Sequence, residues 1–154
     1  MRQLEGFLRS IGAGYEVPEE DVVRINNKRF AASPALRASM TRRDRLIYAG
    51  RFLGRTKNVW EPSAILLREV AGQSAARKAW VDDQAAWLFV CGRDVFTERI
   101  TRIDPEAAEG TNYLVMLGDD CLGYGRLQTV DGKLILRNLF DIGDFLRREK
   151  WREE

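Results

Sequence analysis

Beyond residue 72 the chain is cut into short apolar runs by turn residues, and that punctuation confines it to a small β-rich architecture. The runs KAWV, DVFTERITRI, NYLVML, CLGYGRL and KLILRNL follow one another at close spacing. Gly118 to Asp120 and Asp131-Gly132 stand between them as good hairpin turns. Several short strands so arranged indicate a barrel-like domain. DDQAAWLFVCG interrupts them, and it reads as one buried helical turn ending at Gly92.

The first half has a different texture. Leu4, Phe7, Leu8 and Ile11 recur at one face of a helix, which Gly12 and Gly14 end. DVVRINNKRFAAS predicts a hairpin turning at Asn26-Asn27, and Ser33-Pro34 predicts a cap and first helical position. RLIYAGRFLGRT reads as a strand pair or bent strand, punctuated by Gly50 and Gly54. Pro62 should open a further helix with Ile65, Leu66 and Val70 as its buried stripe. AGQSAARK, small and polar, suggests a linker, so two domains are expected, residues 1–75 and 76–154.

What is missing from the sequence narrows function. There is no histidine, which removes His-based triads, the usual imidazole base and nearly every zinc site. Cys91 and Cys121 are read as small buried hydrophobes of a reducing compartment. No apolar run reaches the roughly 18 residues of a membrane span. MRQLEGFLRSIG mixes charge with apolar residues and does not read as a signal peptide, so an intracellular location is expected. Asp82-Asp83 and Asp119-Asp120 are paired carboxylates, but turn chemistry accounts for them. Gly123-Tyr124-Gly125 lacks the Gly-Lys-Ser/Thr ending of a phosphate loop, and Ser33, Ser39 and Ser63 have no base. No enzyme mechanism, cofactor, metal or small-molecule substrate is expected.

Net charge is only +2, yet its distribution is lopsided. Residues 24–57 carry Arg24, Lys28, Arg29, Arg37, Arg42, Arg43, Arg45, Arg51, Arg55 and Lys57 against the single acid Asp44. Such asymmetry suggests a polyanionic partner. Within it Arg43 and Arg45 share a strand face with Ile47, and with Arg51 if the strand runs on. Mixing cations with apolar positions fits a protein partner as well as RNA. Arg42, Arg43, Arg45, Arg51 and, farther along, Arg126 therefore form a secondary surface for RNA or a partner.

The segment DIGDFLRREKWREE carries the sharper signal. At 100° per residue Ile142, Phe145 and Leu146 fall on one helical face, with Asp141 as N-cap and Asp144 in the first turn. Arg147, Lys150 and Trp151 fall opposite, with Arg148 at the edge. Guanidinium forks suit phosphate oxygens, and a tryptophan face stacks on an unpaired base for about 1–3 kcal/mol.

The later half resembles a PUA domain, the small RNA-binding barrel of pseudouridine synthases and archaeosine transglycosylases. Its markers are Val81-Asp82-x-x-Ala85 before a helix, then Gly92 and Val95, then Leu122 to Gly125. DIGDFLRRE resembles the ending of the Nip-seven family, which assists assembly of the large ribosomal subunit in archaea and eukaryotes. KRFAASPALRASM and GRFLGRTKN agree with that family in layout.

The resemblance implies an α+β protein: an N-terminal α/β domain with an antiparallel sheet, and a C-terminal PUA domain, a small mixed pseudo-barrel with short helices. It implies no catalysis, and RNA contact through Arg147, Arg148, Lys150 and Arg152, with Trp151 among them. The expected partners are single-stranded or uridine-rich pre-rRNA and other assembly factors, with no membrane. GRL after Tyr124 resembles archaeal members, so an archaeal cytoplasm is expected, or a nucleolus in a eukaryote. Two other classes stay open: an RNA-modification protein targeted by its PUA domain, and a protein–protein adaptor.

Overall fold

The computed structural model describes residues 2–40, 48–144 and 147. The sequence cues for the first elements are met. Helix α1 (Arg2–Ser10) buries Leu4, Phe7 and Leu8, with Ile11 just past its end also buried. Strands β1 (Val22–Ile25) and β2 (Lys28–Ala31) form a hairpin, with Asn26 at φ 55°, a conformation asparagine tolerates. Helix α2 (Pro34–Ser39) is capped by Ser33, whose hydroxyl accepts the Leu36 amide at 3.2 Å.

Strand β3 (Arg51–Thr56) begins abruptly at Gly50. That residue has φ +68°, and a Cβ there would run into the Ala31 carbonyl, so only glycine fits. Tyr48 and Ala49 before it are not in a strand, and Arg45, Leu46 and Ile47 of the expected strand pair or bent strand lie outside the described residues. Strand β4 (Trp60–Pro62) completes the antiparallel order β1-β2-β3-β4. Pro62 ends this strand instead of opening a helix; Ser63 caps helix α3 (Ala64–Ala71) by accepting the Leu66 amide at 3.0 Å. The buried stripe is Leu66, Leu67 and Val70, while Ile65 is 44% exposed. The helix lies against β3 and the later strand Asp120–Val130, which selects that face over the expected one.

The second sheet is built from β5 (Lys78–Val81), β6 (Val95–Phe96), β7 (Ile100–Asp104), β8 (Asn112–Leu117), β9 (Asp120–Val130) and β10 (Lys133–Asp141). Their order is β6-β10-β9-β8-β5-β7, with β5 and β8 parallel and every other pair antiparallel. Helix α4 (Asp83–Val90) is two turns long, not one. Asp82 caps it through the Ala85 amide at 2.8 Å, and Ala85, Ala86 and Phe89 face the barrel interior. They meet Val95, Tyr113, Leu127 and Leu136, all of them buried. Each fully buried leucine of this kind stabilises the fold by roughly 1.5–3 kcal/mol.

The stretch expected as a linker is a packed joint. Ala76 and Lys78 are buried, and the Arg77 amide donates to the Ile11 carbonyl at 2.8 Å. The Arg77 guanidinium donates to the carbonyls of Ser10 and Asn112, tying α1 to β8. One hydrophobic cluster spans both sheets, joining Leu53, Trp60 and Leu66 to Leu114, Met116 and Tyr124. The Tyr124 hydroxyl donates to the Trp60 carbonyl at 3.2 Å and its ring lies 4.9 Å from Phe7. Burial pushes that phenol up to about 12.

The cysteines separate. Cys91 is exposed, because it lies past the last turn of α4 on the outer side, contrary to the buried expectation. Cys121 is partly buried, and desolvation pushes its thiol up to about 12.

Candidate nucleic-acid interface

Cation positions are settled by where carboxylates stand. At the end of β10, Asp141 is buried at 3% exposure and accepts from Arg147 Nη1 and Nη2, each at 3.0 Å. Asn138 Nδ2 donates to the same carboxylate at 3.0 Å, and Arg147 Nη1 also donates to the Val90 carbonyl at 2.6 Å. These bonds raise the Arg147 pKa, the Asp141 hydrogen bonds being the largest cause. Gly92, at φ +91°, lies so close that a Cβ there would sit 3.4 Å from the guanidinium.

Arg147 is therefore turned inward as a latch between β10 and the end of α4, not outward as the helical wheel places it. Asp141 is not an N-cap either: it is the last strand residue, and the helical conformation begins at Asp144. Ile142 is 39% exposed, against its expected role as an anchor. Phe145, Leu146, Arg148, Lys150, Trp151 and Arg152 lie outside the described residues.

Four of the seven described cations of the basic central stretch pair with acids from elsewhere in the chain. Arg37 pairs with Asp21 at 3.0 Å, and Arg55 and Lys57 share Glu61 at 2.5 and 3.7 Å. Arg51 Nε meets Glu69 at 3.1 Å and its Nη2 donates to the Tyr15 hydroxyl at 2.8 Å, so this expected surface cation is part of an internal network. Burial, then the hydrogen bond to Glu69, pushes the Tyr15 phenol up to about 12. Arg24, Lys28 and Arg29 have no carboxylate partner among the described residues. Arg29 is 8% exposed and folds back on the carbonyls of Asn26 and Lys28, at 3.4 and 3.1 Å. Desolvation, then the field of Arg24, lowers its pKa. Arg42, Arg43 and Arg45 lie outside the described residues.

Arg126 keeps its charge open to solvent. It is exposed on the outer face of β9, with Nε donating to Asn112 Oδ1 at 2.9 Å. Directly opposite on β10 stands Arg137, also exposed. The sequence reading missed Arg137, although the two-residue turn Asp131-Gly132 pairs residues equidistant from it and so opposes 126 to 137. It also missed Trp87, 69% exposed on α4, with Leu88 and Phe96 exposed at 40% and 57%. The carboxylate pairs behave as turn and cap residues. Asp82 has its pKa lowered, first by the Ala85 amide it caps, while Asp119 and Asp120 are exposed at the β8–β9 turn.

The architecture is that of a PUA-domain protein, a mixed barrel carrying an N-terminal antiparallel sheet. It superposes on a conserved PUA domain protein from Thermoplasma acidophilum with a TM-score of 0.59 at 17% identity, covering 96% of this chain and 91% of that one. More particularly, residues 77–150 match the family described as the UPF0113 PUA domain. A UPF0113 protein of Archaeoglobus fulgidus is 27% identical over 86 residues, 51% of this chain and 49% of that protein. The match thus spans about half the length of that relative.

Proposed function

We propose that the protein is a non-catalytic RNA-binding factor of the Nip-seven type. It acts in assembly of the large ribosomal subunit and holds single-stranded or looped pre-rRNA through its PUA domain. The observation that carries this reading is the match of residues 77–150 to a PUA domain, a module generally used to bind RNA. The Arg147 latch supports it, because it fixes the residue next to Arg148 against the end of β10 and α4. In this reading Arg148, Lys150 and Arg152 contact phosphate, Trp151 stacks on a base, and Arg147 positions them. A sequence with no histidine and an Asp82 engaged as a helix cap support the reading of a role without catalysis. Assembly factors are the expected protein partners, in the cytoplasm or nucleolus.

Fluorescence anisotropy with a uridine-rich oligonucleotide tests the reading. With about six phosphates neutralised, affinity should fall by about 10²–10³-fold between 50 and 200 mM salt. Absence of binding at 50 mM salt would overturn it.

A further inference from the structure

Two arginines directly opposite one another across an antiparallel pair repel, and such pairs are ordinarily avoided. Arg126 and Arg137 stand in that relation on β9 and β10, exposed, with no ion pair to either among the described residues. Asp94, near the β6 end of the row, accepts the Asn138 amide at 2.9 Å and makes no ion pair with Arg137. Among the described residues no carboxylate relieves the repulsion.

The row borders a groove of about 480 Å³ between α1 and the outer face of the barrel. Gln3, Ser10, Asn58, Asn112 and Arg126 line it, and no carboxylate does. Its floor includes Trp60, 4% exposed, whose indole Nε1 is buried without a hydrogen-bond partner. Gln3 Oε1 is likewise buried and unpartnered, its amide nitrogen donating to the Lys57 carbonyl at 3.2 Å. Both atoms are closed to solvent; the polar lining that a guest in the groove can reach is led by the exposed side chains of Asn58 and Arg126. Gly6 opens the wall: a Cβ there would meet nothing within 4 Å.

We infer that this groove is a second RNA site, taking a stretch of single-stranded RNA distinct from the one held by the C-terminal segment. Arg126, oriented by Asn112, and Arg137 engage a phosphate on the rim. Exposed Asn58 lines the space where a base lies and offers its amide to the base edge. Three amides and no carboxylate favour a polyanion with hydrogen-bonding heterocycles over an acidic protein surface. The inference rests on the RNA-binding reading above, and it extends the bound RNA from the chain end across the joint between the two sheets.

The test compares the full chain with two double variants of equal charge change, R126E/R137E and R24E/R68E, on a 20-nucleotide oligouridine. The first should lose about tenfold or more in affinity and reduce the slope of log K against log salt by about 0.7, the one phosphate the pair holds. The control should stay within about threefold. Gly6→Leu, at an exposed helical position with room for a side chain, should fill the groove and also lower affinity about tenfold, with an unchanged circular dichroism spectrum. If the wild-type chain fails to bind, the RNA-binding reading itself falls, and this inference with it. If the wild type binds while R126E/R137E and G6L bind equally well, the groove is overturned and the first reading stands. Equal losses in both double variants also overturn it, since net charge alone is then being read.

Discussion

Two hairpins of the molecule, β1–β2 and β9–β10, present the same pattern and use it in opposite ways. In the first, the two-residue turn Asn26-Asn27 opposes Arg24 to Arg29; in the second, Asp131-Gly132 opposes Arg126 to Arg137. Arg29 lies in the shorter hairpin, is 8% exposed, and spends its guanidinium on turn carbonyls. Arg126 has a side-chain carbonyl, Asn112, to orient it, and leaves the rest of its fork in solvent beside a groove. A basic cross-strand pair is therefore not in itself a binding site. It becomes one where neither guanidinium is needed by its own backbone and where a concave surface lies next to it.

Breaking this contrast should give a graded series. The largest effect is expected outside both hairpins, at the latch that resembles Arg29 in being turned inward. Arg147→Met leaves the buried Asp141 carboxylate without its cation. Breaking a buried pair costs about 3–5 kcal/mol, and the 38% exposure of the Arg147 side chain reduces this to about 2–3 kcal/mol. Urea denaturation should show that loss; a change below about 0.5 kcal/mol would return Arg147 to the solvent-facing role the helical wheel gave it. Next comes Arg29→Met, expected to cost about 1–2 kcal/mol through lost turn hydrogen bonds while leaving oligouridine affinity unchanged. An affinity loss there would erase the distinction between the hairpins. Smallest in stability is Arg137→Glu, which replaces repulsion across the strands by attraction and should raise the unfolding free energy by about 0.2–1 kcal/mol. The same variant should weaken RNA binding, so stability and affinity move in opposite directions.

Much of this was legible before any coordinates. The turn sequences marked both hairpins, Ser33 sat where its cap formed, and the apolar spacing of α1 named its buried face. The opposition of Arg126 to Arg137 was implicit in the Asp131-Gly132 turn, since a two-residue loop fixes register. The inward turn of Arg147 was not legible. A helical wheel ranks residues by direction around one axis, whereas the partners of Arg147 are the end of a strand and a carbonyl 57 residues away on α4. The internal pairing of Arg51 was hidden in the same manner, because Glu69 and Tyr15 come from α3 and the segment after α1.

The sequence by itself determined the local elements and the short-range pairings, because caps, turns and side-chain periodicity are interactions among neighbours along the chain. It also determined an α+β class with a barrel after residue 77, and an uneven charge. Only the tertiary structure decided which cations remain available. A guanidinium is neutralised by whichever carboxylate or carbonyl the fold brings within about 3 Å, and separation along the chain says little about separation in space. That is why Arg51, Arg55 and Arg147 are held by carboxylates of the chain while Arg126 and Arg137 have none among the described residues.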